Sequence, residues 1–112
     1  MDRECHRIAL ASSDPATPGD LFVQDLPDGR PARLTNLNDA LFREVDLARP
    51  EEFSFKGADD WDLQGWIIRP KTTSNDRSPA ILEIHGGPMA MYGWSFFFEF
   101  QVLAAQGFAV VF

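Results

Sequence analysis

The sequence predicts an α/β fold, and three observations carry that prediction. Two near-continuous apolar runs, AILEI at residues 80–84 and FAVVF at 108–112, read as strands buried on both faces of a parallel sheet. Between them, residues 94–106 put Phe96, Phe100 and Leu103 on one stripe, with Phe97 and Ala104 beside it. Ser95, Glu99 and Gln106 fall toward the other side, so an amphipathic helix is expected. Upstream, residues 51–70 alternate apolar and polar side chains around GADD, the pattern of an antiparallel hairpin.

Taken in order, the chain opens on short strand signals. RIALAS at 7–12, LFVQDL at 21–26 and the weaker RPARLTNL at 30–37 are separated by SDPATPGD, read as a loop, and by the tight-turn residues PDG at 27–29. Three strands in meander order leave one face open and rarely stand alone. NDALFREVDLARP, residues 38–50, is a connector whose Leu41, Phe42, Val45 and Leu47 suit a short helix or an extended segment equally. In the hairpin, Phe53 and Phe55 alternate with Ser54 and Lys56, and Trp61, Leu63 and Ile67 alternate back. Pro70 closes it, and KTTSNDRS reads as a solvated loop. Gly107 suits the left-handed position that ends a helix. Strand, helix and strand then form a βαβ unit, right-handed by the general rule.

Composition limits the possible functions. With 112 residues, 45% hydrophobic and 24% charged, the chain suits one modest globular domain. A net charge of −7 with no local Lys/Arg cluster argues against nucleic acid and anionic membranes as partners. Cys5 alone forms neither an internal disulfide nor a thiolate metal cluster, and reads as an incidental thiol. The first residues lack an apolar leader core, so the expected location is cytoplasmic. From Ser78 to Phe112 the only charges are Glu83 and Glu99, so this third is expected to lie inside something. The apolar ending GFAVVF, without a polar cap, reads as a truncated chain.

One motif carries chemistry. His85-Gly86-Gly87-Pro88 follows the first apolar run, and sites in open α/β sheets lie at the carboxyl ends of parallel strands. Glycine lets backbone N–H groups approach a ligand with no Cβ in the way, and Pro88 stiffens the segment. Fixed N–H groups of this kind hold the oxyanion of a tetrahedral acyl-transfer intermediate, each worth about 3 kcal/mol of barrier.

EIHGGP, with the flanking hairpin and MYGW, resembles the start of the catalytic domain in the prolyl oligopeptidase family of serine peptidases, acylaminoacyl-peptidase-like branch. The resemblance covers most of the chain. It implies a partial β-propeller blade at 1–40, a connector at 41–50, and the N-terminal portion of an α/β-hydrolase domain at 51–112. It also implies cleavage of peptides or acyl-peptides through an acyl-enzyme, with no cofactor. A glycine-rich motif after the third strand donates to the oxyanion in α/β-hydrolases. Gly86 and Gly87 are thereby the expected oxyanion-loop residues, with His85 and Pro88 supporting the loop and Met89 and Tyr92 on the substrate side. Met89 stands where the branch commonly has a second histidine, which bears on substrate detail and leaves the backbone donors intact.

The attacking group is not in this sequence. The G-x-S-x-G elbow of this fold has no counterpart, and the triad is expected beyond Phe112. In YGWSF, Phe97 takes the second glycine position and Ser95 reads as a helix N-cap. His85, before the glycines, is misplaced for a general base and reads as structural; His6 reads as a terminal polar residue. Asp59, Asp60 and Asp62 read as turn residues, no metal site is expected, and Phe96, Phe97, Phe98 and Phe100 read as core. The chain by itself is expected to be inactive. Two other readings remain open: an α/β-hydrolase esterase or lipase, and a non-catalytic β-rich interaction module.

Overall fold

A computed structural model of the chain describes residues 3–4, 6–71 and 77–112. Cys5 and most of the loop read from KTTSNDRS lie outside the described residues.

The N-terminal strands form a three-stranded antiparallel sheet: β1 (Arg7–Asp14), β2 (Thr17–Asp25) and β3 (Ala32–Arg33), in that order. The segment 13–20, expected as a loop, is mostly strand. Asp14 makes this possible, because its carboxylate accepts the Ala16 N–H at 2.7 Å and reduces the connection to a two-residue turn at Pro15–Ala16. The register shifts between Ser12 and Asp14, and Gly19 takes a φ of 127° opposite them. Across the pair, Arg7 faces Asp25 at 2.6 Å. Ile8, Leu10 and Phe22 are only half-buried, so one face of this small sheet stays open.

Asp20 ties the sheet to the segment after it. Its side chain is 1% exposed and accepts the Thr35 hydroxyl at 2.6 Å, the Arg33 Nε at 2.9 Å and the Leu37 N–H at 3.3 Å. Arg33 reaches on to Asp39 at 2.6 Å, at the start of α1 (Asp39–Phe42). The Thr35 hydroxyl, followed by Arg33 and the Leu37 amide, holds the Asp20 carboxyl below its ordinary value against the opposing effect of burial.

The second sheet has the order β4-β5-β7-β6, from β4 (Pro50–Lys56), β5 (Asp62–Ile68), β6 (Ala80–Leu82) and β7 (Ala109–Val111). β4 and β5 are the expected hairpin, pairing from Pro50–Ile68 to Lys56–Asp62. Its turn carries Asp59 and Asp60 at positive φ, with Lys56 bound to Asp62 at 2.8 Å. β6 and β7 are parallel and joined through α2 (Phe98–Ala105), the expected strand–helix–strand unit. β7 also pairs antiparallel with β5, Ile68 opposite Val110.

Three expectations are corrected here. The helix begins at Phe98, not at residue 94, and its N-cap is Phe97 with no side-chain cap, so Ser95 caps nothing. The reason is packing: Phe96 lies edge-on to Phe42 at 6.1 Å, and Phe97 stays extended to place its ring 4.8 Å from Phe100. The helix is also not amphipathic in the expected sense. Gln101 is buried while Phe98 is 71% exposed, so apolar side chains surround it. Finally, only β7 of the two apolar strands is buried, Val110 being 0% exposed; Leu82, on the edge strand β6, and Ile84, just beyond it, are 64% and 77% exposed. The nearly uncharged C-terminal third is therefore widely open in this chain.

The core lies on one face of the second sheet, where Ile68 and Val110 meet Phe100 and Ala104 of α2, with Ala48 of the connector. Trp66 and Phe112 stack on the same face at 5.7 Å. The apolar stripe of Phe55 and Leu63 points to the opposite face and stays exposed. Gly107, at a φ of 95°, ends the helix as expected, and its N–H returns to the Ala104 carbonyl at 3.1 Å. Among the described residues, no helix is long and apolar enough to cross a membrane.

Candidate functional site

The His85–Pro88 turn leaves β6 at its carboxyl end, just after Glu83 donates its N–H to the Val111 carbonyl at 2.8 Å. That bond is the last tie to the sheet, so the chain departs into solvent from residue 84 onward. His85, Gly86, Gly87 and Pro88 are all exposed. Among the described residues, no group accepts the N–H of Gly86 or Gly87. Neither glycine takes a left-handed φ, and a Cβ placed on either would meet nothing within 4 Å. Their conformations are thus open to other residues, and what glycine provides here is bare backbone facing open space.

His85 is anchored from two sides. Its Nδ1 lies 2.8 Å from the Gly86 carbonyl, and a carbonyl only accepts, so Nδ1 carries the hydrogen. Its ring meets Tyr92 edge-to-face at 5.5 Å and 85°. Tyr92 is half-buried and in turn meets Phe97 at 5.0 Å, Phe100 at 5.1 Å and Phe112 at 6.2 Å. Met89 is 96% exposed.

The other candidates stay apart from this turn. Ser95 is exposed, and its N–H goes to the Gly93 carbonyl at 2.8 Å. His6 lies 3.3 Å from Glu4 at the far end of the chain. Asp59, Asp60 and Asp62 sit in or beside the hairpin turn, and no cluster of three potential metal ligands occurs among the described residues. Concavities among the described residues lie elsewhere. One, of 530 Å³, is lined by Leu41, Val45, Phe96, Phe98 and Val102; another, of 160 Å³, by Ala48, Lys71 and Gln101. Residues 85–92 line neither.

Sequence reading missed Gln101. Buried in α2, it pairs with the Ala48 peptide on both sides, accepting its N–H at 3.0 Å and donating to its carbonyl at 2.9 Å, and reaches the Pro15 carbonyl at 3.4 Å. One side chain thereby joins the β1–β2 turn, the connector and α2. A single glutamine in an aromatic helix gives no signal of such a role; its one clue is a polar residue within an apolar run.

Together these elements make a small mixed α/β domain of two sheets and two short helices, consistent with part of a larger peptidase fold. The comparisons with known proteins agree. The chain is 41% identical over 111 residues to the uncharacterized peptidase YuxL of Bacillus subtilis, covering 97% of this chain and 16% of that one. It is 28% identical over 97 residues to dipeptidyl-peptidase 5 of Porphyromonas gingivalis, covering 84% and 14%. The solved acylaminoacyl peptidase of Pyrococcus horikoshii superposes with a TM-score of 0.84 at 32% identity, over 99% of this chain and 17% of that one. No family model matches. The chain is homologous to serine peptidases and resembles the prolyl oligopeptidase/acylaminoacyl-peptidase family, matching only part of those larger chains.

Proposed function

We propose that this chain supplies the oxyanion loop of a serine-type peptidase that cleaves peptides or acyl-peptides through an acyl-enzyme. The observation that supports it most directly is the pair of N–H groups at Gly86 and Gly87, without an acceptor among the described residues, on a turn leaving the carboxyl end of a parallel strand. On this reading His85 and Pro88 hold the turn, and Met89 lies on the substrate side. The serine, aspartate and histidine of the triad come from outside these 112 residues, which contain no G-x-S-x-G.

The same reading assigns residues 51–112 to the start of an α/β-hydrolase sheet and residues 1–40 to part of a propeller blade. The order β4-β5-β7-β6, with a helix between β6 and β7, supports the first assignment; the three-stranded antiparallel sheet supports the second. That N-terminal sheet, in place of a helical cap, favours a peptidase over a lipase or esterase.

Three measurements test the proposal. The purified 112-residue chain is expected to hydrolyse neither acyl esters nor peptide anilides; turnover abolished by a serine-directed phosphonate would show the nucleophile to lie within it. The reading frame around this sequence is expected to encode a G-x-S-x-G elbow, then Asp, then His. In a polypeptide extended through that elbow, Gly87→Ala is expected to lower kcat about 10²-fold, because the methyl enters the space kept for the oxyanion.

A further inference from the structure

The geometry points to Tyr92 as a positioning residue for the Gly87 N–H, acting through the His85 ring; the inference rests on the oxyanion reading of Gly87. A trans peptide is rigid, and its C=O and N–H point in opposite directions. The Gly86 carbonyl and the Gly87 N–H belong to one such unit. When His85 Nδ1–H holds the Gly86 carbonyl at 2.8 Å, the Gly87 N–H is turned away from the imidazole, where no group among the described residues accepts it.

An exposed histidine does not hold a peptide plane unless its own ring is held. Among the described residues, the one aromatic contact of the His85 ring is with Tyr92, at 5.5 Å and 85°. Tyr92 is itself fixed by three phenyl rings, at Phe97, Phe100 and Phe112, and Phe100 is 1% exposed. An ordered path of contacts therefore runs from the core through Tyr92 and His85 to the Gly86–Gly87 peptide. Along this path the tyrosine acts through its ring face and edge, and its hydroxyl plays no part. That separates the role from a substrate-binding one, in which the hydroxyl would be the useful group.

The test uses the isotope-labelled chain in alkaline buffer, at a concentration where light scattering shows a monomer, with long-range proton–nitrogen correlation of the His85 imidazole and Overhauser contacts between rings. The wild type is expected to show the Nδ1–H tautomer and ring contacts between His85 and Tyr92. Tyr92→Phe is expected to keep both. Tyr92→Leu is expected to lose the single tautomer and to shift the Gly86 carbonyl carbon resonance. Phe97→Leu, which removes one ring from the cluster without touching His85 and leaves Phe100 and Phe112 against Tyr92, is expected to leave the tautomer unchanged. An unaltered tautomer in Tyr92→Leu, or its loss in Tyr92→Phe, overturns the inference. Should Tyr92→Leu not fold, the wild-type ring contact decides, and its absence overturns the inference. None of these readouts needs turnover, so the inference stands or falls separately from the kcat of Gly87→Ala.

Discussion

At the scale of single residues, Gly86 and Gly87 border open space. Because neither is left-handed and a Cβ on either meets nothing, Gly86→Ala and Gly87→Ala are each expected to change stability by less than about 0.5 kcal/mol. Chemical denaturation of the chain checks this; a loss above about 1 kcal/mol would mean the glycines serve the fold. Asp20 is the contrasting case, a carboxylate enclosed by the Arg33, Thr35 and Leu37 donors. Its folded value lies below its unfolded one, with the Thr35 hydroxyl the largest cause, so it stabilises the fold at pH values above its unfolded value. That contribution is lost as pH falls through the lowered folded value, below about pH 4. Thermal melts at pH 7 and pH 3 are expected to show the N-terminal sheet loosening in acid, with a smaller difference in Asp20→Asn. The His-Gly-Gly-Pro turn could be found in the sequence because adjacent residues make it. The Asp20 network could not, because its partners Arg33, Thr35 and Leu37 become neighbours only when β2 and β3 pair.

At the scale of elements, α2 shows why periodicity alone misjudges a helix. Residues 94–97 are apolar enough to continue it, yet Phe97 stays extended, and the Phe96 and Phe97 rings pack against Phe42 and Phe100. Gln101 then occupies a buried position that a hydrophobicity pattern would give to leucine. Gln101→Leu leaves the Ala48 N–H and carbonyl without their partner, and is expected to cost about 1–3 kcal/mol. A denaturation midpoint equal to wild type would show that water replaces the side chain. The helix end was legible, since Gly107 follows the last apolar turn and does adopt a φ of 95°. Gly107→Ala is expected to cost about 1 kcal/mol, although its Cβ would meet nothing, because the strain lies in the backbone. The comparison of this variant with Gly87→Ala separates conformational from spatial reasons for glycine.

At the scale of the whole molecule, the chain buries one face of its second sheet and leaves the other open. Phe55, Leu63 and Trp61 lie exposed along the hairpin, Leu82 on the edge strand β6, and Ile84 just beyond it. A chain of this kind, 16% of the length of one relative and 14% of another, is expected to self-associate as its concentration rises. Light scattering should show growing assemblies and a hydrophobic dye should bind; a monodisperse, dye-silent monomer would contradict the expectation.

The sequence by itself determined what depends on neighbours along the chain: the hairpin, the strand–helix–strand order, the helix stop at Gly107, and the turn that bares Gly86 and Gly87. Tertiary structure alone decided the rest: that β7 lies between β5 and β6, that Ile68 and not Leu63 faces the core, and that Gln101 joins three segments. The physical reason is that local preferences act over a few residues of backbone. Which face is buried and which polar group is paired are instead set by surfaces that meet only once distant segments have packed.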